Sequence, residues 1–523
     1  MSATLEPAYS FFYAPKTLKV VHTFDAEAAI AAVNKYVRYP LNLAQEAAIK
    51  KSFAERVSLL WGPPGTGKTW TLAALIATWV EAALMVKAPI TILVGAANYN
   101  AIDNVLLQVK DLLAERTSEA PSVRIMRVRS ESSEPLDVPP IEDVVQREAK
   151  DIRGRWVKPA QCTVVGGTYL QLLKVSQDYM SEKAIGAPFF DVVVLDEASQ
   201  VSTASAMAYA ALAKQNAHLV VCGDHRQLGP VQHVKLEDTR SGLLESAFSY
   251  LREHHGILPV SLSENYRSNE AITGWPSQRF YEDGFVSIRS KRRLEMPVSA
   301  PGAPAGWPSG APWVDAFDDI LSPDEPVSVI VYDDRSSTVS NQFEAWISAS
   351  LIRTYFLRLK AQKPDLDLKH FWKENAGLVT PHRAQIATIR NLIGSELMPE
   401  HGGLSFVDTV DRFQGQERDL IIASYTVSDP DFIANEEDFI LDPRRFNVTL
   451  TRARCKFILL VSRTLLTYLP ADLKVANDAA HLQLFTENYC GVPRVVQLPF
   501  RNAAGNVETR TCDQYVKAFQ LDA

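Results

Sequence analysis

Cysteine is scarce in this chain. Its 523 residues include five, Cys162, Cys222, Cys455, Cys490 and Cys512, and no two stand at CxxC spacing. That excludes a disulfide framework and a zinc-ligand set, and it fits thiols kept reduced. Net positive charge is also missing: 54 basic against 61 acidic side chains leave a formal charge of −7. The chain is not a polycation, so any grip on a phosphate backbone has to come from a local basic groove. Long uninterrupted apolar runs are absent. The most apolar region, residues 72–97, is broken by Glu81, Lys87 and Pro89, which reads as a buried helix followed by a buried strand and not as a membrane span. The N-terminus, MSATLEPAYS, carries Glu6 early and lacks the basic-then-apolar order of a secretory leader. The expectation is an intracellular, soluble protein with no membrane partner.

What is present is ample core-forming material. Apolar residues make up 46% of the chain, and its length allows roughly three or four domains of about 100–200 residues. Short β-rich runs alternate with helical stretches. Strands are expected at residues 57–61, 91–95, 192–196, 219–223, 327–332, 376–380, 419–424 and 457–462. Several are unbroken Val/Ile/Leu runs without polar alternation, the pattern of strands covered on both faces of a parallel sheet, so the fold class is α/β. Two composition shifts interrupt this pattern. A polar stretch at 117–148 breaks the first α/β unit. Residues 289–326 are basic and then proline-rich, which reads as a surface insertion or a partly disordered loop. The tail after about residue 470 carries no legible chemistry.

Residues 57–69 read VSLLWGPPGTGKT. A strand leads into Gly62-Pro63-Pro64-Gly65-Thr66-Gly67-Lys68-Thr69, and a helical pattern follows. Glycines let backbone N–H groups approach phosphate oxygens, and a helix N-terminus adds favourable partial charge. Lys68 supplies a full positive charge to the β- and γ-phosphates, and the Thr69 hydroxyl is placed to ligate Mg²⁺. Residues 191–199 read DVVVLDEAS, an apolar strand ending in two carboxylates. Asp196 is the candidate metal ligand and Glu197 the group that orients and deprotonates an attacking water. These two motifs specify a nucleoside triphosphate hydrolase but not its class.

Five further segments supply the class: LVVCGDHRQLGP at 219–230, LSENYRS at 262–268, VTPHRAQ at 379–385, VDRFQGQERD at 410–419 and FNVTLTRAR at 446–454. In this order they resemble motifs III to VI of the superfamily 1 helicases, most of all the Upf-like and Sen-like branch that moves 5′ to 3′. The resemblance implies two tandem RecA-like P-loop domains with parallel sheets and small insertions. They are expected at 41–260, with an insertion near 110–160, and at 261–470, with the proline-rich insertion near 289–326. Residues 1–40 precede them as a segment too short for the β-barrel accessory domain of relatives, and 471–523 follow as a tail. The resemblance also implies ATP and Mg²⁺ as cofactors and assigns roles. Asn42 and Gln45, in LNLAQ, resemble the pair that reads the adenine edge, although a helix N-terminus explains them equally. Gln227 resembles the γ-phosphate sensor, Tyr266 the ring that stacks on adenine, and Glu417 the acceptor for the ribose. Arg267 and Arg452 resemble arginine fingers, a task suited to a planar, permanently charged guanidinium. Arg383 and Arg454 read equally as salt-bridge residues.

For single-stranded RNA or DNA the resemblance implies contacts in the segments at 95–103, 163–169, 379–385 and 410–419, with Asn98, Tyr99, Asn100, Thr168, Thr409 and Asp411 as the candidates, without sequence preference. Tyr99 stands where the family pattern has Asn, and His382 where it has another aromatic. A basic run, Lys150, Arg153, Arg155 and Lys158 around Trp156, reads as a second grip on nucleic acid or as a solvated face. The cluster Arg289, Lys291, Arg292, Arg293 reads as a nuclear import signal or as an exposed loop, which leaves cytoplasm and nucleus both open. Three functional readings follow: an ATP-driven helicase or translocase, a nucleic-acid-stimulated ATPase that remodels complexes without unwinding, and a non-hydrolysing scaffold. The last predicts erosion at Lys68, Glu197, Gln227 or an arginine finger, and none is eroded.

Overall fold

The structure is a computed structural model, described here for all residues except 1–6, 23, 117–122, 147–161, 181–188, 231–241, 283, 298–301, 399–406, 414 and 520–523. The chain divides into two compact units, residues 1–263 and 264–523.

The first unit is built on β1 (Val57–Trp61), β2 (Thr91–Gly95), β3 (Arg124–Arg129), β4 (Ile141–Val145), β5 (Thr163–Gly167), β6 (Phe190–Leu195), β7 (Ala213–Gly223) and β8 (Val260–Ser261). They form one sheet in the order β4-β3-β5-β2-β6-β7-β1-β8, and every pairing is parallel. β1 and β5 are buried at every position, as strands inside a parallel sheet covered on both faces are. Helix Lys68–Met85 runs from the glycine loop against this sheet and is buried on nearly all sides from Thr71 to Ala83, which its Ala/Leu-rich sequence permits. Behind it Phe53 stacks on Trp79 at 3.9 Å. The register sets the site: Trp61 lies beside Gly223 and Leu195 beside Val221, so the segments after β1, β6 and β7 leave the same edge of the sheet.

The described part of the polar stretch, residues 123–146, is part of this sheet and not an excursion from it. Within it β3 and β4 extend the sheet beyond β5. Their charges are paired inward: Arg127, only 3% exposed, bonds both oxygens of Asp103 (2.6 and 2.9 Å) and Asp143 (2.9 Å), beneath the ring of Tyr99. The strand signal is lost because these carboxylate partners are distant in sequence.

The second unit contains β9 (Glu264–Asn265) and β10 (Val286–Ser287), a short parallel pair, and a larger sheet. That sheet comprises β11 (Val327–Tyr332), β12 (Ala376–Val379), β13 (Val407–Asp408), β14 (Arg418–Ser424), β15 (Ala453–Ser462), β16 (Arg494–Arg501) and β17 (Val507–Lys517), in the order β13-β12-β14-β15-β11-β17-β16. The first five are mutually parallel, while β17 runs antiparallel to both β11 and β16. Residues from 471 on, set apart above as a tail, therefore fold with the second unit and cover the flank of β11. The proline-rich stretch is also ordered where described. Trp307, Trp313 and Phe317 pack edge to face, Phe317 and Ile320 are fully buried, and Arg358 bonds Asp318 (2.6 Å) and the Gly302 carbonyl (2.7 Å). Its aromatic residues anchor it to helix Gln342–Gln362, against the expectation of a loose loop.

The five cysteines are buried free thiols. Among the described residues no helix is long and apolar enough to cross a membrane.

Candidate nucleotide site

The glycine loop leaves β1 at Gly62, whose N–H donates to the Gly223 carbonyl at 3.2 Å. Gly65 and Gly67 take left-handed φ values of 74° and 81°, a region that disfavours a Cβ. Gly62 is required for a different reason: a Cβ there would lie 2.2 Å from Cγ of Lys68, whose stem crosses it. Lys68 Nζ donates to the Gly62 carbonyl at 2.7 Å, and the Thr66 hydroxyl to the Pro63 carbonyl at 2.7 Å. The helix starting at Lys68 has no side-chain cap, unlike the helices capped by Asn42, Asn98, Ser202, Asn269 and Asn341. Its first-turn N–H groups are thus set up for an anion, and a triphosphate fits this cradle. Thr69, partly exposed, is in that first turn.

Asp196 follows β6 and is 2% exposed. Burial pushes its carboxyl up to about 7; the neighbouring Glu197 charge adds to this, and Lys68 opposes it. The Cys222 thiol also bonds to it. A buried carboxylate facing a cation across the loop suits a divalent ion held with the Thr69 hydroxyl. Glu197 has φ 47°, a strained value for a non-glycine residue, and its N–H donates to Asp196 Oδ1 at 2.8 Å. The backbone after it is tied down by Ala198 N–H to the Cys222 carbonyl at 2.8 Å.

Asp224, not singled out by sequence, organises the next segment. Fully buried, it accepts from Trp61 Nε1 (3.0 Å), Arg226 N–H (3.0 Å) and Gln227 Nε2 (2.7 Å). Its spacing from Gln227 is that of a tight turn, a signal that GDHRQ carries but that names no partner. Asn42 and Gln45 form a reciprocal capping box, Gln45 N–H on Asn42 Oδ1 at 2.9 Å and Asn42 N–H on Gln45 Oε1 at 3.0 Å. The same Gln45 amide lies against the glycine loop: a Cβ on Gly67 would be 3.6 Å from its Nε2. The structural and nucleotide-reading explanations of this pair are therefore compatible.

In the second unit, residues 265–269 are stitched to the start of β15. Ser268 Oγ donates to the Ala453 carbonyl at 2.6 Å and Asn269 Nδ2 to the Cys455 carbonyl at 2.8 Å. Arg267 is ion-paired with Glu417 and donates to the Thr451 carbonyl at 3.1 Å. Burial works against the Glu417 charge, but Arg267 and Arg454 overcome it and hold the carboxyl below the usual range. Arg452 is 3% exposed and donates to the Val448 carbonyl at 3.0 Å. Arg454 is committed to Asp419 (2.9 Å) and Glu374 (3.1 Å), the inter-motif salt bridge that sequence left open. Tyr266 is 38% exposed, its hydroxyl donating to Glu264.

Two family profiles, each described as an AAA domain, match residues 40–240 and 243–464. The DNA replication ATP-dependent helicase/nuclease DNA2 of Mus musculus is 27% identical over 477 residues, covering 87% of this chain and 40% of that protein. The regulator of nonsense transcripts 1 homolog of Drosophila melanogaster is 28% identical over 464 residues, covering 80% of this chain and 34% of its own. These matches support a superfamily 1 helicase core of the Upf-like kind. It spans less than half the length of these curated relatives. The solved PRRSV helicase aligns over 89% of this chain and 61% of its own at 12% identity with TM-score 0.35, a likeness too weak to bear on the fold.

In this helicase core the expected nucleic-acid residues all lie just beyond strand ends. Asn98 is exposed and caps helix Tyr99–Ala114 through Ala101 N–H at 3.0 Å, and Asn100 is exposed. The Tyr99 hydroxyl accepts from Ser130 N–H at 3.2 Å, so this ring in place of Asn braces the β3 end. Thr168 opens helix Tyr169–Met180 after β5. Thr409 follows β13, and Asp411 is ion-paired with Arg445 at 3.0 Å. The basic run at 150–158 lies outside the described residues.

Proposed function

We propose that this protein is an ATP-dependent helicase or translocase on single-stranded nucleic acid, moving 5′ to 3′. The observation that supports this most is the meeting, at one edge of one sheet, of the Lys68 cradle, the buried Asp196, the strained Glu197 and the Asp224-held Gln227. Lys68 and the first-turn N–H groups bind the triphosphate. Thr69 and Asp196 would hold Mg²⁺, which neutralises phosphate charge when bound. Glu197 orients and deprotonates water, and Gln227 reports the γ-phosphate. Tyr266 stacks on the adenine and Glu417 accepts from the ribose, with Asn42 and Gln45 reading the base. Arg267 and Arg452 stabilise charge on the transferring phosphoryl group. Both now bond within their own unit, so engaging ATP requires them to exchange these partners. The proposed motor spans RecA-like domains at 41–260 and from 261 onward, and Asn98, Tyr99, Asn100, Thr168, Thr409 and Asp411 contact the strand.

The test is ATP turnover with and without single-stranded RNA and single-stranded DNA, with Glu197→Gln as control. Stimulation by either polymer, reduced by about a hundredfold or more in Glu197→Gln, is the expected result. Stimulated turnover without strand separation would make it a remodelling or translocating ATPase. ATP binding without turnover under any condition would overturn the motor.

A further inference from the structure

One buried hydroxyl in the first unit ties together three segments that lie far apart in the chain. Tyr209 belongs to helix Thr203–Ala210 and is fully buried. Its hydroxyl accepts from Ala96 N–H at 3.2 Å and shares its own hydrogen between the carbonyls of Ala96 (2.8 Å) and Gly167 (3.2 Å). Ala96 is the first residue after β2 and Gly167 the last of β5, and these two strands are parallel neighbours. The chain makes room for the ring: a Cβ on Gly95 would lie 2.6 Å from Tyr209 Cε1 and 2.7 Å from its Cζ. Tyr169 packs edge to face against the same ring at 5.9 Å. The hydroxyl therefore sets where two following segments begin. Asn98 comes two residues after Ala96, and Thr168 directly follows Gly167.

The other end of this tie leads to the hydrolytic carboxylate. Helix Thr203–Ala210 follows Glu197 with little slack between them. Gln200 N–H donates to the Glu197 carbonyl at 2.8 Å, and Ser202 caps the helix through Ser205 N–H at 3.2 Å. Neighbouring chain pins the same stretch, with Thr203 N–H on the Glu245 carbonyl and Ala247 N–H on the Val201 carbonyl, both at 2.8 Å. Residues 197–210 thus form one held piece with Glu197 at its start and Tyr209 near its end. We propose that Tyr209 is a positioning residue that couples the single-strand grip at Asn98–Asn100 and Thr168 to Glu197. A strand that draws on those segments moves Ala96 and Gly167, and the hydroxyl carries the movement to the helix behind the carboxylate. This rests on the helicase reading and adds to it a physical route between its two sites. Phe in place of Tyr209 fills the same volume, so the tie can be cut without emptying the core.

The experiment is ATP turnover by the full chain, below its melting temperature, with and without oligo(dT) or oligo(U). Wild type, Tyr209→Phe, Asn98→Ala and the double variant are compared. The ratio of stimulated to unstimulated turnover should fall by about fivefold in Tyr209→Phe, the share of one hydrogen bond. The double variant should fall no further than the worse of the two single variants, because both act through the same segment. Full stimulation in Tyr209→Phe overturns the coupling. Equal losses in stimulated and unstimulated turnover also overturn it, since they mark a merely structural tyrosine. So do losses that multiply in the double variant. A wild-type chain whose turnover neither polymer raises overturns the helicase reading and the coupling together.

Discussion

Gly62 shows how narrowly single residues are constrained here. Its role is to give way to a side chain, since the Lys68 stem occupies the space a methyl group would need. Gly62→Ala should leave the fold intact, because the contact is with the flexible stem of one side chain. It should still displace the lysine and cut ATP turnover by about a hundredfold, the usual cost of misplacing one transition-state donor. Turnover assays alongside thermal melting check this; wild-type turnover would show that the lysine does not work from this position. Glu197 is constrained by strain, and Arg267 and Glu417 by each other. A sequence names such residues but not the partners they hold at rest.

At the scale of elements, the second sheet hides ionisable groups that sequence does not flag. Glu344 sits inside helix Gln342–Gln362, and burial pushes its carboxyl up to about 7 against its hydrogen bonds. The sign follows from linkage. The folded state keeps its proton to a higher pH than the unfolded chain, so this group's contribution weakens stability as pH rises from about 4.5 to about 7. Replacing it with an amide removes that dependence. Glu344→Gln should therefore show a flatter loss of stability over this window, by roughly 3 kcal/mol across the full shift. Denaturant melts of both proteins at pH 4.5 and 7 measure it, and parallel pH curves would refute it. Buried partners distant in sequence likewise explain why residues 117–148 and 289–326 misled at the sequence level. Both look polar or irregular locally, yet Arg127 finds Asp103 and Asp143, and Trp313 finds Phe317 and Arg358.

At the scale of the whole molecule, the C-terminal strands complete the second unit. β17 covers β11, every residue of which is buried, and Arg510 lies over the rings of Tyr332, Phe343 and Phe500 at 5.3, 4.6 and 5.2 Å. Ending the chain after Gly491 would bare an apolar strand edge, a template for association. The truncated protein should partition into aggregate on expression and lose nucleic-acid-stimulated turnover. Light scattering and activity of the soluble fraction test this. A soluble, fully active truncation would mean that β16 and β17 are dispensable.

The sequence by itself determined the α/β class, the central strands and the order of the nucleotide motifs. These are local signals: unbroken apolar runs, glycines at fixed offsets and carboxylates at a strand end. The strands at 57–61, 91–95 and 327–332 were legible to the residue, because burial on both faces writes itself into consecutive side chains. Only the tertiary structure decided that Asp224 holds Gln227, that Arg454 is spent on a salt bridge, and that the C-terminal residues join a sheet. It also decided that the Tyr209 hydroxyl reaches both Ala96 and Gly167. Each depends on contacts between segments tens to hundreds of residues apart or closed by a turn, where pairing energy leaves no periodic trace in the chain.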